Sequence, residues 1–432
     1  MNDNVSSVPL GIDDFDKDDN GKVRAKSQKN IILALRLLGV RLSYDEFSDR
    51  ILISGLARFT FLNDPAIIRL WLQIDEQFKF LPPKDFFFDI LLDLARSNTF
   101  HPVRDYLNGL EWDGVGRIDD WLIRYAGAKD TPYIRAVGRL MLTAAIRRVR
   151  QPGCKFDEMV VLEGPQGNLK STLLKTIAVR DEWFSDDLPL SADSKKLIEQ
   201  FRGRWIVEAS ELTGMRKTDH DHLKSMLSRT HDRSRLSYER VVTEMPRHNI
   251  IVGTTNDAKY FRDQTGNRRY WPVAVGDIKI DDLKQDIDQL WAEAAILEAK
   301  GESIRLDKSL WPEAAREQIE RLEEEPWKDI LDEVLGDMEG KIRKRDVREI
   351  IGRPSGQFTT LDNKRLKYAM ESLGWKDDKQ RFDTSPERCW TKGSGRRAIK
   401  VRIETADAKR VPIAKYDLEV EEGSPLEDDE SL

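Results

Sequence analysis

The stretch Met159–Thr172, MVVLEGPQGNLKST, restricts the fold more than any other part of this sequence. Met159 to Leu162 is a short apolar run, partly β-branched, ending at a glycine turn, the pattern of a strand buried in a parallel sheet. The turn Gly164, Pro165, Gln166, Gly167, Asn168, Leu169 leads through Lys170, Ser171 and Thr172 into a helix expected over Ser171 to Ala178. Strand, glycine turn and helix in this order make a phosphate cradle. Backbone N–H groups close on the phosphates, a lysine reaches the β- and γ-phosphates, and the neighbouring hydroxyl holds Mg²⁺. Gly164, Gly167, Lys170 and Ser171 supply those parts, and the helix adds its positive N-terminal end. The motif's glycine before the lysine is here Leu169, where a positive φ would cost a residue with a Cβ.

Taken alone, the stretch also fits a strand–turn–helix whose Lys170 is merely solvated, but the downstream sequence favours nucleotide. A second apolar strand, Trp205 to Val207, delivers Glu208 and then Glu211, carboxylates suited to holding Mg²⁺ or its water and to orienting an attacking water. A third strand, His248 to Val252, ends in Thr254, Thr255 and Asn256, polar groups placed to sense a γ-phosphate or its water. Arg268 and Arg269 follow on a glycine-led turn before the apolar run Tyr270 to Val273, a place from which an arginine can be presented to a neighbour's nucleotide. Between the second and third strands, Asp232 to Val242 carries Arg233, Arg235 and Arg240 with Tyr238 among them. Such a hairpin either grips a single strand through phosphate contacts and base stacking or is a solvated arginine-rich turn.

With 432 residues the chain has room for two or three domains. A net charge of −6 assigns any nucleic-acid binding to local basic patches. Cys154 and Cys389 make neither a disulfide framework nor a metal-ligand spacing, which fits a reducing cytoplasm. No apolar run reaches membrane-spanning length and the polar N-terminus has no signal-peptide core, so a cytoplasmic protein with no membrane partner is expected.

The polar residues 1–30 read as a disordered arm. Helical periodicity from Ile31 marks an N-terminal helical domain over 31–126, in which Phe86, Phe87 and Phe88 read as core. The P-loop core is expected over 127–305, entered by a helix Tyr133–Arg150 whose terminal Arg147, Arg148 and Arg150 suit the helix dipole better than a nucleic-acid contact. Residues 306–405 read as a helical linker and a winged-helix-like domain, with Arg343, Lys344 and Lys364 open to DNA or to protein contact, and 406–432 as an acidic tail.

The P-loop, WIVEASEL, GTTN and GNRRYWPV in this order, preceded by FHPVRDYL and LEWDGVGR, resemble the virulence-associated E family of phage, prophage and genomic-island proteins, related to superfamily-3 helicases of the AAA+ group. The resemblance runs from about His101 through Val273. It implies an α/β AAA+-like core and an ATP- and Mg²⁺-dependent hexamer acting on single- or double-stranded DNA during replication of a mobile element. By motif, Lys170 and Ser171 are Walker A, Glu208 and Glu211 Walker B, Asn256 sensor 1, and Arg268 or Arg269 the arginine finger. Two departures stand out: Leu169 in Walker A, and acids spaced E-x-x-E instead of adjacent. No zinc cluster or primase-type acidic motif precedes the core, so a primase or host replication protein is expected as a separate partner. A nucleotide-gated DNA-binding scaffold with little hydrolysis is the alternative to a helicase. The otherwise intact site favours a near-helical, unstrained Leu169.

Overall fold

The computed structural model describes residues 11–188, 194–210, 212, 217–234, 243–261, 267–322, 326–353, 355–382, 385–406 and 409–416. The chain divides into two compact units, Met1–Leu322 and Glu323–Leu432.

The first unit begins with helices Gln28–Leu37, Asp64–Phe78 and Lys84–Ser97 around a small sheet of β1 (Arg41–Asp45), β2 (Arg50–Ser54) and β3 (Thr99–Phe100), ordered β2-β1-β3. Side chains of Ser27 and Asn63 cap the first two helices by accepting the N–H of Asn30 and Ala66. Ile31, Leu70, Ile74, Phe87 and Leu91 form the shared core. Two expectations change here. Order begins well before Asn30, because the buried Asn30 amide accepts from Asp16 N (2.7 Å) and donates to the carbonyls of Asp16 (2.9 Å) and Arg24 (3.0 Å), while Phe15 enters the core. One amide does this work, so no periodicity announced it. Of the three phenylalanines, Phe87 is fully buried but Phe88 is 41% exposed, since consecutive helical positions cannot all face one core.

The central sheet consists of β4 (Met159–Glu163), β5 (Phe184–Ser185), β6 (Ile206–Ala209), β9 (Ile250–Thr255) and β10 (Tyr270–Ala274); a separate antiparallel hairpin, β7 (His231–Ser234) and β8 (Thr243–Pro246), lies between β6 and β9 in sequence. The five strands are all parallel, in the order β10-β4-β9-β6-β5. Both faces are covered. Val160 and Leu162 join a cluster with Trp205, Ile177 and Leu142, whereas Met159 and Val161 join one with Leu223, Met226 and Tyr260. Burial on both sides is why these strands read as unbroken apolar runs.

Helix Pro132–Arg150 packs against helix Ile280–Ala299, and its arginines are structural. Arg147 and Arg150 both bind the buried Glu298 carboxylate, and Arg148 is itself buried, donating to the Phe156 carbonyl at 2.5 Å.

The second unit runs helix Pro326–Leu335, β11 (Gly340–Arg343), helices Lys344–Ile350 and Thr360–Ser372, then β12 (Lys376–Phe382), β13 (Ser385–Lys392), β14 (Ala398–Ala406) and β15 (Lys409–Tyr416), with sheet order β12-β13-β11-β14-β15. Leu331, Ile342, Val347, Trp375 and Trp390 form its core. Two of its basic residues are engaged: Arg343 is buried and paired with Glu387 at 3.2 Å, and Lys344 pairs with Asp377 at 2.6 Å. The side chain of Lys364 lies outside the described residues. The stretch expected as an acidic tail from 406 opens with β15, antiparallel to β14, because KRVPIAKY is basic and apolar and the acidic composition starts only at Asp417.

Candidate nucleotide-binding site

Parallel strands bring the expected site residues to one edge of the sheet. β4 lies between β10 and β9, so its C-terminal end opens onto Gly164 with Thr255 of β9 alongside Glu163. Ligands of open parallel sheets bind outside the carboxyl ends of the strands. The helix Lys170–Ile177 starts there, with Lys170 as its first residue. Gly167 takes φ +83°, and Asn168 pins the turn from the far side by donating its Nδ2 to the Gly276 carbonyl at 2.7 Å.

The Lys170 ammonium is held by three oxygens: the Gly164 carbonyl at 2.7 Å, the Pro165 carbonyl at 3.0 Å and Asn256 Oδ1 at 2.9 Å. Burial lowers its pKa from the usual lysine value, and Glu208 partly offsets this. Asn256 is thus in direct contact with the P-loop lysine, across 86 residues of sequence.

Glu208 is 1% exposed in the middle of the sheet's mouth. Its Oε1 accepts the hydroxyls of Ser171 at 2.8 Å and Thr254 at 2.6 Å, while Oε2 is buried with no hydrogen-bond partner among the described residues. A buried carboxylate oxygen without a partner is costly, and such an orphan calls for an ion, a water or a catalytic role. Thr254 was expected only as a sensor beside nucleotide; its bond to Glu208 makes it part of the acidic site.

Leu169 departs from expectation. Its backbone is left-handed, φ 55° and ψ 20°, and its side chain is 50% exposed. A left-handed backbone costs about 1–3 kcal/mol, which here falls on a branched side chain.

The arginine pair stands at the other edge. Arg268 and Arg269 lie in a short 3₁₀ turn, Asn267–Arg269, entering β10, whose Tyr270 pairs with Met159 and whose Ala274 pairs with Glu163. The length of a five-residue strand, about 16 Å, therefore separates them from the P-loop of their own chain. Arg269 is ion-paired with Asp157 at 3.4 Å. Arg268 is exposed and has no ion-pair partner among the described residues. In the β7–β8 hairpin, Arg233 is exposed and paired with Glu244 at 2.9 Å. Glu211, Arg235, Tyr238 and Arg240 lie outside the described residues.

A glycine turn at the C-terminal end of a central strand in a five-stranded all-parallel sheet, with a buried lysine, a serine and a carboxylate converging on it, is consistent with a P-loop core. The sequence matches the virulence-associated protein E-like domain over residues 107–324, just over half of the chain, and the chain belongs to that family. Family membership implies a nucleoside triphosphate as ligand. No curated protein matches. Among solved structures, the apo C-terminal region of NrS-1, residues 305–718, is similar at 12% identity with a TM-score of 0.46, over 85% of this chain and 100% of that one. The A form of the same apo region matches at 10% identity with a TM-score of 0.42, over 84% of this chain and 99% of that one.

Proposed function

We propose that the chain is an ATP- and Mg²⁺-dependent DNA helicase or translocase serving replication of a phage, prophage or genomic island, and that it works as a homo-oligomeric ring, a hexamer by family resemblance. One observation carries this reading: Lys170 with Asn256, and Ser171 with Glu208 and Thr254, meet at a single sheet edge. A Mg²⁺ ion fits that arrangement. The unpartnered Glu208 Oε2 and the Ser171 hydroxyl would hold it, and the ion would neutralise charge on the phosphates during transfer. Mg²⁺ needs few protein ligands when phosphates and water supply the rest.

Lys170 would exchange its carbonyl partners for β- and γ-phosphate oxygens, and Asn256 would stay within reach of the γ-phosphate and its water. Glu211 is the partner acid by spacing. Arg268 would complete a neighbour's site, because a strand length separates it from its own; Arg269 would support it through Asp157. The hairpin residues Arg233, Arg235, Tyr238 and Arg240 would contact DNA. The second unit would act as a winged-helix-like domain contacting DNA or protein, and a separate primase or host replication proteins would be partners of the whole chain. Steady-state ATPase measured with and without single-stranded DNA tests the motor. Stimulated turnover is expected.

The strained Leu169 favours a second reading, a nucleotide-gated DNA-binding scaffold that hydrolyses slowly. ATP-dependent DNA binding without stimulated turnover would select it.

A further inference from the structure

A second cleft, lined by arginines and apolar side chains, opens away from the P-loop, where the N-terminal sheet meets the opposite edge of the central one. Its volume is about 280 Å³, and its walls include Arg50 and Phe61 on one side and Arg180, Trp183, Arg202 and Arg204 on the other. It continues into a neighbouring cleft of about 510 Å³, which shares Arg50, Phe61 and Arg202 and adds Arg96 and Phe88. Five arginines therefore line one groove.

Of the carboxylates in its walls, Glu182 is exposed and pairs loosely with Arg180 at 3.9 Å, and two more are occupied within the protein. Asp45 accepts the backbone N–H of Phe47 (2.9 Å) and Ser48 (3.3 Å) together with the Ser48 hydroxyl (2.5 Å), and Asp49 binds Arg202 and the Tyr44 hydroxyl. Arg50 and Arg96 are exposed, with no carboxylate partner among the described residues. The aromatic groups are equally distinctive. Phe61 is 42% and Phe88 41% exposed, and the Arg50 guanidinium lies over the Phe61 ring at 5.3 Å. Arg180 covers Trp183 at 4.7 Å. Large apolar rings left half in water beside unneutralised guanidinium groups serve no core.

We infer that this groove binds a few nucleotides of single-stranded nucleic acid, with Arg50, Arg96 and Arg180 on phosphates and the Phe61 and Phe88 rings stacking on bases. Only unpaired bases offer a face to such rings, which is why the occupant is a single strand and not a duplex. An acidic peptide would use the charge but leave the rings idle. The groove also abuts the machinery of the P-loop. Helix Lys170–Ile177 starts at the phosphates and ends three residues before Arg180; β6 begins two residues after Arg204 and carries Glu208 at its far end. A strand in the groove thus sits at the far ends of the two elements that hold Lys170 and Glu208. The choice of occupant rests on the DNA-directed reading above.

The test is fluorescence anisotropy of the full chain with a labelled 20-nucleotide oligothymidylate across a salt series. Arg50→Glu is expected to weaken binding about tenfold at low salt and to flatten the salt dependence by about 0.7–1.4 in log–log slope. Phe61→Ala is expected to weaken it about five- to tenfold with the slope unchanged. A 4-thiothymidine oligonucleotide crosslinked to wild-type protein should give adducts at Phe61 or Phe88, which decides the matter even if a variant fails to fold. Wild-type affinity in both variants, adducts confined to other segments, or binding of polyglutamate in preference to the oligonucleotide would overturn the groove assignment. An inert wild-type chain would overturn the DNA reading as well.

Discussion

Ser171 donates its hydroxyl to Glu208 Oε1 at 2.8 Å, tying the first turn of the P-loop helix to a strand 37 residues later in sequence. Thr254 takes the same oxygen, and Glu208 Oε2 is left with no hydrogen-bond partner among the described residues.

Glu208→Gln retains an acceptor for Ser171 and Thr254 but removes the charge that would hold Mg²⁺. ATP hydrolysis is expected to fall at least about a hundredfold, as losses of electrostatic stabilisation do, with nucleotide binding kept. Because a buried carboxylate that only partly recovers its desolvation cost from two hydroxyls and the nearby Lys170 is also removed, the melting temperature should stay level or rise. Turnover and a thermal melt on the same preparation check both halves.

The two arginines should separate. Arg268→Ala is expected to leave the melting temperature unchanged and to abolish turnover, and mixing it with Lys170→Ala chains should restore part of it at hybrid interfaces. Arg269→Ala should instead lower stability by about 1 kcal/mol through loss of the Asp157 pair. Hybrids that form and never hydrolyse would remove Arg268 from the neighbour's site.

Arg321 grips the buried Glu163, the residue just before the P-loop, through two N–H···O bonds of 2.7 and 2.8 Å, and Tyr260 adds a third at 2.6 Å. Arg321→Ala leaves that carboxylate buried and unpaired, which costs about 3–5 kcal/mol. Urea unfolding should show the loss, and a midpoint equal to wild type would mean the carboxylate finds water.

Acid should weaken the fold through a histidine pair. His101 and His248 stack with ring nitrogens 3.2 Å apart, and burial lowers their pKa values to about 3 and about 4, with His248 further depressing His101. Both folded values lie below the unfolded 6.5, so the unfolded chain binds more protons. Stability is fully present above pH about 6.5 and is lost as pH falls toward 4, by up to about 1.4 kcal/mol per pH unit for each imidazole. His101→Asn with His248→Asn should flatten that slope in urea midpoints taken from pH 7 to 4.

The candidate site was legible in the sequence because its parts are short-range signals: a glycine turn after an apolar run, a carboxylate at a strand end, an asparagine after a buried strand. What was hidden depends on long-range contact. Trp183 leads into β5 and meets Trp205 edge-on with ring centroids 6.0 Å apart, but Phe184–Ser185 is too short to show a period. Thr254 became part of the acidic site only when register set β9 beside β6. The ordering of Gly11–Asn30 draws on Asn30 and on Phe15 packed against the distant Phe78 and Phe80, and nothing in a leucine announces the left-handed backbone of Leu169.

Leu169→Gly follows from that backbone. In a helical conformation the change would cost about 1 kcal/mol. At φ 55° the relief of strain offsets the added freedom of the unfolded chain, so stability should be unchanged or raised and ATP binding at least as tight. A melt and an ATP titration distinguish the cases, with a clear loss of stability pointing to a helical Leu169.

The most direct measurement is steady-state ATP turnover of the purified full chain with saturating Mg²⁺, with and without oligothymidylate, beside Lys170→Ala. The expected result is turnover that rises several-fold with the oligonucleotide and disappears in Lys170→Ala, whose far-UV circular dichroism matches wild type. Wild-type turnover in Lys170→Ala, or no hydrolysis by the wild-type chain under any DNA condition, would contradict a P-loop motor.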